Sequence, residues 1–157
     1  MSRAAPSEPV AALARRAAAA VDPGRVVALA QGLVRVRSVY DEARGTTEAP
    51  AAEFVAAQLR AAGFEPVVEE AAPGRPNVIC DFAGSRFDPD NHRTLMLEGH
   101  TDVVTEGDPA AWRVPPFEGR IDPGPDGSPH TGVLHGRGSA DMKAGVAAAI
   151  AAVEAVR

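Results

Sequence analysis

Three stretches of the chain place apolar residues at intervals of three and four positions, which is the period of a helix with one buried face. They cover residues 23–37, 48–62 and 142–157. Asp22 followed by Pro23 is a typical start for the first stretch, because Asp caps a helix and proline fits its first turn. We therefore predict three amphipathic helices.

The second predicted helix has signals at both ends. Thr47 is a candidate cap, and Gly63 suits the left-handed position that often follows a helix. Phe64 would then pack back on Leu59. Before the first helix, residues 1–22 are rich in Ala, Pro and Arg and show no clear period. We expect this arm to be a frayed helix or disordered, and residues 23–157 to form one domain.

Short apolar runs between these helices predict strands. We expect strands at residues 64–70, 77–82, 93–99, 117–122 and 132–135. Within the third run, Leu95-Met96-Leu97 is apolar at successive positions, as in a strand that is buried on both faces of a parallel sheet. Helices and strands in this order indicate an α/β fold.

Composition narrows the class of protein without identifying it. The 157 residues are 45% hydrophobic and 24% charged, with a net charge of −5. These values are ordinary for a globular domain and argue against a nucleic-acid partner. Cys80 is the single cysteine, so no intramolecular disulfide is possible and we expect a reducing compartment, the cytoplasm. No apolar stretch approaches the roughly 20 residues needed to span a bilayer, so we expect no membrane partner.

The first candidate for chemistry follows the predicted strand at 93–99. His100 and Asp102 lie two residues apart in Gly-His-Thr-Asp, so on an extended chain their side chains share one face. In open α/β sheets, ligands bind just beyond the carboxyl ends of strands. A polar turn would give the same pattern by chance, and this motif alone does not separate the two interpretations.

A second candidate is Asp141, which follows the glycine-rich turn Gly136-Arg137-Gly138 and opens the last predicted helix. The simplest role for an acidic residue there is to cap the helix. A phosphate cradle is a poor alternative, because Asp141 stands where G-x-G-x-x-G needs its third glycine and its charge would repel phosphate. The same negative charge would instead attract a divalent cation. Imidazole and carboxylate are zinc ligands, and a carboxylate can bridge two metals.

Three motifs carry a resemblance to a known family. They are G-H-T-D-V-V at 99–104, W-x-x-x-P-F at 112–117 and L-H-G-R-G-S-A-D-M-K-A-G at 134–145. In this order they resemble the M20 metallopeptidases, and among these the group of acetylornithine deacetylase and succinyl-diaminopimelate desuccinylase. The resemblance covers residues 23–157. It implies the N-terminal part of a mixed-sheet, zinc-exopeptidase-like α/β/α catalytic domain.

The resemblance also implies an activity and a site. The activity is that of a metal-dependent amidohydrolase, which would act on N-acyl amino acids or short peptides through a metal-activated water. Two divalent metal ions are implied, zinc or cobalt, with His100 binding one and Asp141 bridging both. Asp102 would orient His100. The resemblance further implies a cis peptide after Asp141 and, for a full-length form only, a homodimer.

The sequence departs from the family mainly in length. The last predicted helix reaches Arg157 without a stop signal, so we expect a truncated part of a longer protein. The resemblance then places the general-base glutamate, the remaining acidic and histidine ligands and the dimerisation domain beyond Arg157. An alternative hypothesis is a catalytically inactive α/β fragment that acts at most as a weak metal-binding or interaction module.

The other histidines are weaker candidates for metal binding. His92 lies in a polar turn, His130 lies in a loop, and His135 directly precedes Gly136. A solvated or structural histidine is the usual case at such positions. We therefore expect none of the three to be a ligand.

Two aromatic and two basic residues within these motifs also need an interpretation. Trp112 and Phe117 are expected to anchor the long connection over residues 103–116 by packing, not to contact substrate. Lys143 and Arg137 could meet a substrate carboxylate, but charges on a helix surface are the simpler expectation.

Overall fold

The computed structural model describes residues 10–84, 88–90 and 93–157. Within these ranges the chain forms α-helices and two small antiparallel sheets. The helices are α1 (Val10–Ala20), α2 (Pro23–Arg35), α3 (Ala49–Ala61) and α4 (Ala144–Val156). The strands are β1 (Val67–Ala72), β2 (Arg75–Ile79), β3 (Ile121–Asp122) and β4 (Val133–Leu134). The predicted α/β class is confirmed.

The start of α2 is as the sequence predicts. The Asp22 backbone is extended, and its Oδ1 accepts a hydrogen bond from Gly24 N at 2.8 Å. Pro23 occupies the first turn, where a backbone N–H has no helical partner to lose. The helix ends at Arg35, because Val36 has already returned to an extended conformation.

The limits of α3 lie within one residue of the predicted ones. Thr47 Oγ1 accepts a hydrogen bond from Ala49 N at 3.2 Å. At the other end, Gly63 has a φ of +80°, a conformation that side chains with a Cβ avoid. The reversal lets Phe64 N donate to Leu59 O at 3.0 Å, and the two side chains share the core. The predicted contact between Phe64 and Leu59 is therefore confirmed.

The hydrophobic core lies between α2, α3 and α4. α2 packs on α4, and the hairpin of β1 and β2 packs on α3. The buried residues of this cluster are Leu29, Ala30, Leu33, Val55, Leu59, Phe64, Ala147, Ile150 and Ala151. All of these side chains except Phe64 are aliphatic, and they come mainly from the three helices.

α1 differs from the other helices because it buries no residue. Residues 1–9 lie outside the described ranges, so the predicted boundary at residue 22 stays a prediction. None of the helices in the described part of the chain is long and apolar enough to cross a membrane.

The two sheets are antiparallel pairs of short strands. β1 pairs with β2 from Val67 opposite Ile79, and β3 pairs with β4 from Ile121 opposite Leu134. Four of the predicted strands therefore overlap observed ones, with shifted ends. Short 3₁₀ turns lie at Glu42–Arg44, Pro109–Ala111 and Pro129–Thr131, and a π turn lies at Ser139–Lys143.

The prediction of a buried strand at residues 93–99 is wrong. Leu95, Met96 and Leu97 are 83%, 76% and 49% exposed, and no strand is assigned to the segment. A strand that is buried on both faces needs paired neighbours and a layer on each side. In the described residues β1 pairs only with β2, and β3 only with β4. The apolar run therefore has no sheet to join there.

Leu33 is fully buried between α2 and α4, whereas Val10 on α1 is 82% exposed. We expect Leu33→Ala to lower the free energy of unfolding by about 2–5 kcal/mol, because it leaves a cavity. Val10→Ala is the control and should change it by less than about 0.5 kcal/mol. Urea denaturation of both variants measures the difference. Equal effects would contradict the described core.

Candidate metal centre

The segment that carries His100 is held by hydrogen bonds to the chain just after α2. Ser38 is fully buried, and its Oγ donates to Thr101 O at 2.6 Å. In return, Val103 N donates to Ser38 O at 3.1 Å. These two bonds fix the backbone on both sides of Asp102 and so orient the neighbouring His100.

Asp141 lies in an irregular turn, not at a regular helix start. Lys143 N donates to Gly138 O at 3.0 Å, and the peptide bond between Asp141 and Met142 is cis. The cis bond is the one that the family resemblance implied. Gly138 has a φ of +78°, and a Cβ there would collide with Val103. This glycine therefore lets the Asp141 turn approach the His100 segment.

The structure brings the predicted site residues together. His100 Nε2 lies 3.0 Å from Asp141 Oδ1. His100 Nδ1 lies 3.1 Å from the backbone oxygen of Asp102 and 3.1 Å from its Oδ1. The carboxylate of Asp141 thus contacts the imidazole, and α4 has no side-chain cap. The simple capping role considered for Asp141 is wrong, because α4 begins only at Ala144.

The three side chains remain accessible to solvent. His100 and Asp102 are about half exposed, and Asp141 is 88% exposed. They border a cleft of about 250 Å³ whose other walls include Val103, Gly138 and Ser139. A small polar molecule can therefore reach the imidazole and both carboxylates.

The surroundings of His100 raise its pKa. Partial burial lowers the pKa, but the hydrogen bond to Asp141 and the bond to the Asp102 backbone raise it by more, and both carboxylate charges add to the increase. The protonated imidazole therefore stabilises the metal-free fold at pH values below the ordinary pKa. That contribution is lost as the pH rises through the raised pKa.

The donor set fits a divalent cation. Nitrogen and oxygen ligands at 2.0–2.2 Å around a tetrahedral zinc lie about 3.4 Å apart, close to the 3.0 Å between His100 Nε2 and Asp141 Oδ1. Because Nδ1 is engaged by Asp102, Nε2 is the ring nitrogen that faces Asp141, as in carboxylate–histidine–metal arrangements. No group of three or more such donors occurs in the described residues, so this part of the chain supplies only part of a coordination sphere.

Lys143 is not a surface charge, contrary to the sequence-based expectation. Its side chain is fully buried, and Nζ donates to Val36 O at 2.7 Å. Burial lowers the pKa of Lys143 to about 8. The lysine therefore faces the end of α2 and does not reach the cleft.

Arg137 lines the cleft and stacks on Trp112. It lies in the turn before Asp141 and not on a helix surface, contrary to the expectation. The Arg137 guanidinium lies 4.9 Å from the centre of the Trp112 ring, and Trp112 Nε1 donates to Glu106 O at 2.8 Å. The guanidinium carbon of Arg37 lies 5.7 Å from the centre of the Phe117 ring. These contacts are of the packing kind expected for the long connection.

The two other histidines in the described residues, His130 and His135, lie apart from the cleft. His135 Nε2 lies 2.8 Å from Asp122 Oδ2, and His130 lies in a 3₁₀ turn near Gly24. His92 lies outside the described residues. Neither His130 nor His135 lines the cleft beside His100 and Asp141, and their expected lack of a metal role stays a prediction.

Sequence reasoning missed Ser38, which it placed in a polar loop. No alternation marked it, because Ser38 and its neighbour Val39 are both buried. Serine is small enough for a buried position and supplies a hydroxyl donor. Nothing in the sequence predicted that the Lys143 side chain is buried either.

Comparison with known proteins agrees with the motifs. Residues 96–157 match the family model described as Peptidase family M20/M25/M40. The match over these residues confirms the resemblance that the motifs carry.

Curated relatives extend the match towards the N-terminus. A succinyl-diaminopimelate desuccinylase of Methylobacterium sp. (strain 4-46) is 44% identical over 80% of this chain and 28% of its own length. Succinyl-diaminopimelate desuccinylase 2 of Ruegeria sp. (strain TM1040) is 41% identical over 91% of this chain and 31% of its own. An N-formyl-4-amino-5-aminomethyl-2-methylpyrimidine deformylase of Halalkalibacterium halodurans is 31% identical over 82% of this chain and 27% of its own length. The chain thus spans less than a third of the length of these relatives.

We expect Asp141→Asn to lower the pKa of His100 in metal-free protein, because the variant removes a carboxylate charge that raises it. The matched control is Asp126→Asn, since Asp126 bonds Thr131 and Ser128 and not His100. An NMR titration of the His100 ring measures both. A pKa that stays the same in Asp141→Asn would show that the two side chains do not interact.

Proposed function

We propose that the protein to which this chain belongs is a metal-dependent amidohydrolase that removes acyl groups from small N-acyl amino acids or cleaves short peptides. The contact between His100 Nε2 and Asp141 Oδ1 at the mouth of the cleft carries the proposal. The names of the relatives support it, since they describe removal of succinyl and formyl groups.

In this proposal each residue has a separate task. His100 would hold one metal through Nε2, and Asp141 would hold metal through its carboxylate. Asp102 holds Nδ1 and so keeps Nε2 directed at the metal. Bound divalent metal supplies Lewis acidity, which activates water at neutral pH and polarises an amide carbonyl. We propose zinc for both positions, with cobalt as a substitute.

The surroundings suit a small polar substrate. The cleft is about 250 Å³ and is open to solvent, and the imidazole and carboxylates on its rim do not form the continuous basic surface that a nucleic acid needs. A homodimer is proposed for a full-length form only. The cytoplasm is the proposed location, on the basis of the single cysteine, Cys80.

We expect the protein at its natural length, loaded with zinc or cobalt, to hydrolyse members of a panel of N-succinyl, N-acetyl and N-formyl amino acids. Asp102→Asn should lower kcat/KM by about 10- to 100-fold, as for other residues that orient a metal ligand. His100→Ala and Asp141→Ala should lower it further, because each removes a ligand. Release of the free amine measures the rate.

Two controls accompany this assay. His130→Ala should keep the activity, since His130 lies apart from the cleft. The isolated 157-residue chain should show no turnover, because its described residues hold no group of three metal donors. Unchanged kcat/KM in both His100→Ala and Asp141→Ala would contradict the site assignment.

A further inference from the structure

The short segment of residues 36–38, directly after α2, contacts both halves of the candidate metal centre. On one side, Val36 O accepts a hydrogen bond from Lys143 Nζ at 2.7 Å. On the other side, Ser38 Oγ donates to Thr101 O at 2.6 Å. Lys143 follows Asp141 by two positions, and Thr101 directly follows His100. One piece of backbone therefore holds the two segments that carry the metal donors.

Both supporting side chains are out of contact with solvent. Ser38 and Lys143 are each 0% exposed, whereas the donors that they support lie at the surface. A buried hydroxyl or ammonium group that loses its partner cannot turn to water instead, so these hydrogen bonds are costly to break. The ammonium also lies at the carboxyl end of α2, where the helix dipole favours a positive charge.

The segment is itself anchored in the core. Leu33 and Val34, in the last turn of α2, are fully buried, and α2 packs on α4, which continues directly from Lys143. Movement of residues 36–38 would therefore disturb the contact between the two helices. The hydrogen bonds from Ser38 and Lys143 therefore fix both metal donors relative to the same rigid part of the fold.

We propose that Ser38 and Lys143 are positioning residues for the metal centre, which together set the separation between His100 and Asp141 through the backbone of residues 36–38. The proposal rests on the proposed function, because it assigns a purpose to that separation. Neither residue touches the metal or the substrate in this role. Their effect is on how well the donors are arranged before a divalent cation arrives.

The test compares zinc affinity in Ser38→Ala, Lys143→Met and the unmodified protein at its natural length. Calorimetric titration of metal-free protein with Zn²⁺ at pH 7 gives the affinity. We expect each variant to bind zinc about 10- to 100-fold more weakly, the size of effect seen when groups behind a metal ligand are removed. The direction of the change in Lys143→Met separates two explanations. Loss of a nearby positive charge alone would strengthen zinc binding, whereas loss of positioning would weaken it.

Leu59→Ala is the matched control, since it lowers stability through the core but contacts neither segment of the site. It should lower the melting temperature and leave zinc affinity within about threefold, below the range expected for a group behind a metal ligand. A local readout in the metal-free protein accompanies it. The Val103 amide, which donates to Ser38 O, should exchange its hydrogen at least about tenfold faster in Ser38→Ala than in Leu59→Ala.

The outcomes separate the two proposals. If the unmodified protein binds zinc and Ser38→Ala binds it equally well, the positioning role is overturned while the proposed function stands. If the unmodified protein does not bind zinc, the proposed function and the role that depends on it both fail. Should Lys143→Met not fold, Ser38→Ala decides the matter, because it removes only a hydroxyl group.

Discussion

The packing of α2 against α4 is the contact on which the rest of the described structure depends. Leu29 and Leu33 from α2 share the core with Ala147 and Ile150 from α4. This packing brings the carboxyl end of α2 up to the turn that precedes α4. The Val36 carbonyl there accepts a hydrogen bond from the Lys143 ammonium group. Ser38, two residues further along the chain, bonds to the segment that carries His100. Without the helix contact, the two donor segments would have no common support.

Polar groups in this structure divide into two kinds with opposite exposure. The imidazole and carboxylates at the cleft are accessible, so they can exchange water for a ligand. Ser38 and Lys143 are fully buried and each has a hydrogen-bond acceptor in the backbone. Such an arrangement leaves the cleft groups accessible and places the fully buried polar groups where their hydrogen bonds hold the fold. It also accounts for the burial of the Lys143 ammonium group, which has the Val36 carbonyl as its hydrogen-bond acceptor.

Local features of the fold were predictable from the sequence, and long-range ones were not. Asp22 and Gly63 act within a few residues of their own positions, so the start of α2 and the limits of α3 followed from pattern and capping. The end of α2 lies two residues before the predicted one. His100 and Asp141 followed from motifs whose chemistry suits a metal. The exposure of residues 93–99 did not follow, because an apolar run does not reveal whether paired strands surround it. The burial of Lys143 did not follow either, since it depends on Val36, which is distant along the chain.

The most direct test of the account is to locate a metal in crystals of the protein at its natural length grown with zinc. Anomalous diffraction at the zinc absorption edge identifies the ion without reference to activity. The account predicts a peak about 2.0–2.2 Å from both His100 Nε2 and an oxygen of Asp141. It also predicts that Asp102 still contacts His100 Nδ1. A zinc peak elsewhere, with His100 and Asp141 joined only to each other, would contradict the central claim.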